Sequence, residues 1–131
     1  VAVVKGREKG SMFTWDERIE LIREAVRHLP QVEVEGFDEL VVEFARRKGA
    51  VALVRGIRAM SDFEAEFSMA LMNRKMAPHL ESIYLMTNQE FLYVSASRIR
   101  EVSKLGYDVA DMVPANVRTA LRNKLGLDDR A

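Results

Sequence analysis

Arg55 and Arg58 flank a glycine at the end of an apolar run, Ala50 to Val54. Two guanidinium groups on a tight turn can converge on one multiply charged oxyanion, and Gly56 would let the backbone approach that ligand closely. The same spacing also suits two solvated arginines tied to carboxylates. Glu66 shares a helix face with Phe63 and Ala70, so it is read as partly buried, and an ion pair with Arg55 or Arg58 is its structural alternative. Ser95 and Ser97 stand where a loop enters a helix. Free amides and the helix dipole hold anions there, and hydroxyls add donors, although a single serine at such a place serves equally as a plain N-cap. Arg98 and Arg100, just downstream, add positive charge. Lys9 lies in a polar loop after a strand and by itself reads as solvated. His28 and His79 have no metal-ligand partner at workable spacing, and no Ser-His-Asp set or carboxylate pair stands out. Together these residues suit electrostatic binding of a phosphorylated ligand.

The elements that must position them alternate between strand and helix. Val1 to Val4 is a continuous apolar run of the kind found in a buried parallel strand. Such a strand seldom opens a protein, so a segment before Val1 is expected. Thr14-Trp15-Asp16-Glu17 is a capping box for a helix that Pro30 ends. Val32 and Val34 predict a short strand broken by Gly36. Asp38 is expected to cap a helix with Leu40, Val41, Phe44 and Ala45 inward, and Ala50 to Val54 predicts a strand. Ser61-Asp62-Phe63-Glu64 reads as a second capping box, for a helix with Phe63, Phe67, Ala70 and Leu71 inward. Ser82 to Met86 predicts a further strand. Ser95 precedes a helix running to about Leu105, and Pro114 opens the last one. The alternation implies an α/β fold with a parallel sheet covered on both faces. Ligands then bind beyond the carboxyl ends of the strands, which selects 5–11, 36–40, 55–60 and 87–97 as the segments for chemistry.

Composition bounds the answer. The 131 residues suit one domain spanning 1–131, and 48% hydrophobic with 31% charged residues suits a globular one. Lysine plus arginine and aspartate plus glutamate balance at 20 each, which argues against a general nucleic-acid or acidic-membrane binder. With no cysteine, disulfides and thiolate zinc sites are excluded and a cytoplasmic location is allowed. No apolar stretch approaches a membrane span.

Taken together, several blocks resemble the bacterial phosphopantetheine adenylyltransferases. They are Met12-Phe13-Thr14 with Glu17-Arg18, Gly36-Phe37 through Leu40, Arg55-Gly56-Ile57-Arg58-Ala59 with Asp62-Phe63-Glu64, Met72-Asn73, Glu81-Ser82 and Val94-Ser95-Ala96-Ser97, in the family's order and spacing. The resemblance covers essentially the whole chain. It implies a Rossmann-like nucleotidyltransferase that moves an adenylyl group from ATP, with Mg²⁺, to 4′-phosphopantetheine. Dephospho-coenzyme A and pyrophosphate are the products. By the same resemblance, Lys9 and Arg55 bind the substrate phosphate and act in catalysis. Gly56, Arg58, Glu66, Phe91, Ser95, Ala96 and Ser97 take ATP, and Leu40, Val41 and Asn73 line the pantetheine arm. A cytoplasmic homo-oligomer, a hexamer by family analogy, is implied as well.

The family's Thr/His-x-Gly-His signature, and the Gly-Ser/Thr-Phe-Asp-Pro run before it, have no counterpart here. The resemblance puts both upstream of Val1, in a first βα unit that this sequence lacks. The chain is therefore expected to be an N-terminally truncated form of such an enzyme, unable as it stands to catalyse adenylyl transfer at a normal rate. Ala96 replaces a frequent serine and Ala65 a frequent aromatic. Two other readings compete: a non-catalytic nucleotide- or coenzyme A-binding module, and a related transferase with another acceptor.

Overall fold

A computed structural model describes residues 1–6 and 10–127. The elements are β1 (Ala2–Val4), α1 (Trp15–Ala25), β2 (Glu35–Phe37), α2 (Val41–Arg47), β3 (Ala52–Ile57), α3 (Met60–Met76), β4 (Glu81–Met86), a 3₁₀ turn (Gln89–Phe91), α4 (Ala96–Lys104) and α5 (Ala115–Leu125). All pairing is parallel, β1 with β2 and β3 with β4, so the described strands form two pairs. Each pair is joined through a helix, as a parallel connection requires. The chain divides into two compact units. One is residues 1–38 with the chain from Val94 onward, and the other is Glu39–Tyr93.

In the first unit, the capping box of α1 is formed as its sequence predicts. The Glu17 amide donates to Thr14 Oγ1 at 3.2 Å and the Thr14 amide to Glu17 Oε2 at 2.7 Å. The helix ends at Ala25, before the predicted stop at Pro30, and Val26 to Leu29 continues as turns. The strand expected around Val32 and Val34 lies later, and Gly36 is its centre, not its break. The reason is packing: the Trp15 ring lies over Gly36 while its Nε1 donates to the Val3 carbonyl at 3.0 Å. Val3, Ile19 and Phe37 are buried around this contact. Asp38 does not cap α2; it pairs with Lys5 at 3.6 Å. Ile99, Val109 and Leu121 form a second core against Phe13, Val94 and Val117. There α5 is tied to α1 by Asn116 Nδ2 donating to the Leu21 carbonyl and by Lys124 pairing with Glu17.

In the second unit, Val42, Ala45 and Leu80 form the core with Val41, Leu53 and Ala77. Leu40, expected inward, is 58% exposed, because it is the N-cap residue and α2 turns Val42 inward in its place. Strand β3 starts at Ala52 and continues through Arg55 and Gly56 to Ile57, held in register against Glu81–Met86. Helix α3 starts at Met60 with Ala59 as N-cap and no side-chain cap bond, so the second capping box is not formed. Asp62 binds Arg58 instead, at 3.1 Å. The expected inward face of α3 is also corrected. Phe63, Phe67 and Leu71 are exposed, whereas Asp62, Glu66, Ala70, Asn73 and Ala77 make the better-buried stripe. Their spacing of four, four, three and four residues is helical, but the stripe is small and polar, so apolar periodicity could not reveal it.

Candidate active site

Arg55 projects from the middle of β3 toward α3. Its Nε donates to Glu66 Oε2 at 2.9 Å, and its Nη2 makes a second, short bond to Glu66 Oε1. The sequence offered Glu66 an ion pair with either arginine, and Arg55 is the one it makes. The Glu66 side chain is 18% exposed and that of Arg55 58%. The pair is a fork on one edge of the guanidinium. The opposite edge, with Nη1, has no protein partner among the described residues. The hydrogen bond to Glu66 holds Arg55 above its ordinary pKa, against the opposing effect of burial. The cation is thus permanent and pre-oriented, as binding of an oxyanion requires.

Gly56 follows in the strand. Its φ is not in the left-handed region, so the predicted tight turn between the arginines is absent. The apolar run simply extends as pairing with β4 carries the strand past the charge of Arg55. A Cβ on Gly56 would meet nothing within 4 Å, which leaves that stretch of backbone open to close approach. Arg58 stands just beyond β3, bound through Nε to Asp62 on the first turn of α3. Arg55, Arg58 and Glu66 therefore occupy the carboxyl half of one strand and the first turns of the next helix.

The other predicted residues of this unit differ in exposure. Asn73 is 5% exposed, and its Oδ1 is buried with no hydrogen-bond partner. Val41 packs on the core of the unit, and Leu40 is exposed beside it in sequence. Phe91 is 51% exposed in the 3₁₀ turn. In the first unit, Ser95 is the N-cap of α4 and accepts from the Arg98 amide at 3.3 Å, while its Oγ lies 3.3 Å from Ser97 Oγ. Both hydroxyls and the exposed Ala96 stand at the positive end of that helix. The structure thus brings Arg55 to Glu66 and Ser95 to Ser97. Lys9 lies outside the described residues.

Sequence reasoning missed Tyr84. Its Cα pairs with that of Arg55 across β3 and β4, and its hydroxyl donates to the Glu66 carbonyl at 3.2 Å. Only the strand register could have signalled it. An open groove of about 420 Å³ lies at the amino end of β2, between Arg23, Leu29, Val32 and Glu35; none of the predicted site residues lines it. Among the described residues, no group of three or more histidine, aspartate or glutamate side chains could hold a metal ion. None of the described helices is long and apolar enough to cross a membrane.

Residues 1–102 match the cytidylyltransferase-like family. The chain is 50% identical over all 131 residues to the phosphopantetheine adenylyltransferase of Anaeromyxobacter sp. strain K, of which it covers 80%. It is 47% identical over 124 residues to the enzyme of that name from Methylococcus capsulatus, covering 95% of this chain and 76% of that one. Against the one from Heliobacterium modesticaldum it is 46% identical over 126 residues, with coverage of 96% and 75%.

Proposed function

This chain belongs to the phosphopantetheine adenylyltransferases of the cytidylyltransferase-like family, and from that premise we propose which of its residues do the work. The fold is the Rossmann-like nucleotidyltransferase α/β fold. The activity is transfer of the adenylyl group of ATP to 4′-phosphopantetheine, giving dephospho-coenzyme A and pyrophosphate in coenzyme A biosynthesis.

The residue assignment rests on one observation. Arg55, 58% exposed, is gripped by Glu66 along one edge, and its other edge has no partner among the described residues. A phosphate oxygen of phosphopantetheine binds that free edge, with Lys9 as a second cation. The same phosphate attacks the α-phosphorus of ATP in line. A new P–O bond forms as the bond to pyrophosphate breaks, and the leaving pyrophosphate carries away the displaced electron pair. No covalent enzyme intermediate is needed, because the nucleophile is already anionic. The protein's contribution is placement and fixed positive charge.

By the family resemblance, Gly56, Arg58, Glu66 and Phe91 take ATP, and so do Ser95, Ala96 and Ser97 at the start of α4. The open backbone at Gly56 and the paired hydroxyls at a helix N-terminus support this. Mg²⁺ travels with ATP as the counter-ion of its triphosphate. The described residues offer it no cluster of three or more carboxylate or histidine ligands. Leu40, Val41 and Asn73 receive the pantetheine arm. The unpartnered Asn73 oxygen suits one of the amide N–H groups of that arm. Residues 1–131 belong to a single nucleotidyltransferase-like domain of a cytoplasmic homo-oligomer, a hexamer by family analogy.

Steady-state kinetics of the enzyme carrying its first βα unit, with each substrate varied, tests the assignment, using pyrophosphate release and detection of dephospho-coenzyme A by mass. Arg55→Ala removes a donor acting on charge in the transition state and lowers kcat about 10²–10³-fold. Arg58→Ala raises the KM for ATP with a smaller change in kcat. Wild-type kinetics in both would return the two arginines to the surface.

A further inference from the structure

We infer that Tyr84 is a positioning residue for Arg55, acting through Glu66. The inference rests on the reading of Arg55 given above. Three elements meet at this point. Arg55 comes from β3 and Tyr84 from β4, at paired Cα positions of a parallel register. Paired residues of neighbouring strands project to the same face of the sheet, and here that face is toward α3. Glu66 comes down from α3. Its carboxylate takes two guanidinium donors from Arg55, and its backbone carbonyl accepts from the Tyr84 hydroxyl at 3.2 Å. A carbonyl oxygen has two lone pairs, so it can take the phenol in addition to a helical amide.

This contact matters because that turn of α3 is held to the sheet by few polar contacts. The helix has no side-chain cap. Its large apolar residues near Glu66 point away, with Phe63 47% and Phe67 52% exposed. Large apolar side chains therefore do not set how far the Glu66 turn stands from the sheet; polar contacts do, with Arg58 holding Asp62 one turn earlier and the Tyr84 hydroxyl and the Arg55 fork holding the Glu66 turn itself. Tyr84 sets the distance, the carboxylate follows, and the edge of the guanidinium left for substrate is aimed accordingly. A half-buried phenol needs a hydrogen-bond partner, and the Glu66 carbonyl is the one it has.

The test uses Tyr84→Phe in the active enzyme, because it removes one oxygen and keeps the ring. The thermal midpoint is followed to exclude unfolding. The lost contact is one ordinary hydrogen bond, so kcat/KM for adenylyl transfer is expected to fall about two- to tenfold. In an Arg55→Ala background the same change is expected to have no further effect, whereas a merely structural tyrosine would lower both backgrounds alike. An independent readout is solvent exchange of the Arg55 Nε–H, followed by NMR. It is expected to quicken in Tyr84→Phe as the grip of Glu66 loosens. Unchanged exchange, or an equal kinetic loss in the Arg55→Ala background, overturns the positioning role. If Arg55→Ala itself leaves the kinetics intact, the assignment of Arg55 fails, and the exchange measurement still decides whether Tyr84 holds it.

Discussion

Gly36 and Trp15 occupy space that only a glycine leaves available: a Cβ built on Gly36 would stand 2.1 Å from Trp15 Cζ2 and 2.7 Å from Ile19 Cδ1. Glycine is usually a poor strand residue, yet here it is central to β2 and paired with Val3. The tryptophan is fixed from the other side by its bond to the Val3 carbonyl, and the Lys5 ammonium lies 5.3 Å from its ring centroid. One contact therefore ties α1 to both strands of the first unit.

Gly36→Ala is expected to overpack this contact and to destabilise by about 1–3 kcal/mol. The check is urea unfolding followed by circular dichroism. Combined with Trp15→Ala, the glycine substitution should cost little, because the clashing ring is gone and Ile19 Cδ1, the far end of a flexible side chain, can move aside. Full additivity in that double-mutant cycle would show that the ring is not what demands the glycine.

How far the sequence discloses this site depends on whether a signal is periodic. The capping box at Thr14 and the cap at Ser95 are local and were legible, since each needs only its own four residues. The Arg55–Glu66 pair was legible as one of two choices, through the helical spacing of Glu66. The extent of β3 was not. Its apolar run stops at Val54, and only pairing with β4 carries the strand on through Arg55 to Ile57. The inward face of α3 misled for the opposite reason. Phe63 and Phe67 stack on each other, with ring centroids 5.9 Å apart, while Glu66 and Asn73 go inward. Polar residues turned inward at the cost of apolar burial mark a place where local rules yield to function.

Gly56→Ala should separate stability from activity in the opposite sense to Gly36→Ala. No atom lies within 4 Å of the added methyl group and φ is ordinary, so folding is expected to be unchanged or stabilised by about 0.5–1 kcal/mol. If ATP lies along this backbone, the methyl group instead raises the KM for ATP. An unaltered KM would remove Gly56 from the nucleotide site.

Acid should loosen the first unit through two carboxylates. Asp108 is held below the ordinary carboxylate range chiefly by its fork with Arg118, and Glu17 chiefly by Lys124, with the Thr14 amide next. A depressed folded-state pKa means that the unfolded chain binds more protons in that range. The stabilisation is therefore complete above the unfolded values, about pH 4, and is lost as pH falls through the folded ones. An Asp108→Asn, Glu17→Gln double variant is expected to be less stable than wild type at neutral pH and to converge on it below about pH 4. Unfolding midpoints measured from pH 7 downward give the comparison. Curves that stay parallel throughout would mean that neither pair titrates with folding.

Asn73 presents a buried acceptor that no described residue satisfies. Such a group costs about 1–3 kcal/mol relative to a paired one, and a leucine of similar reach would fill the same space without that penalty. Asn73→Leu is accordingly expected to leave the unfolding midpoint unchanged or raised. The same change should raise the KM for 4′-phosphopantetheine, because an amide N–H of its arm loses its acceptor, while the KM for ATP stays as in wild type. The split between the two substrates is the informative quantity. A residue kept for packing alone would shift stability and leave both constants in place. A residue that merely supports the site as a whole would raise both together. If Asn73→Leu is more stable and selectively poorer in phosphopantetheine, the orphaned oxygen is held for the substrate; if both constants match wild type, Asn73 leaves the pantetheine groove.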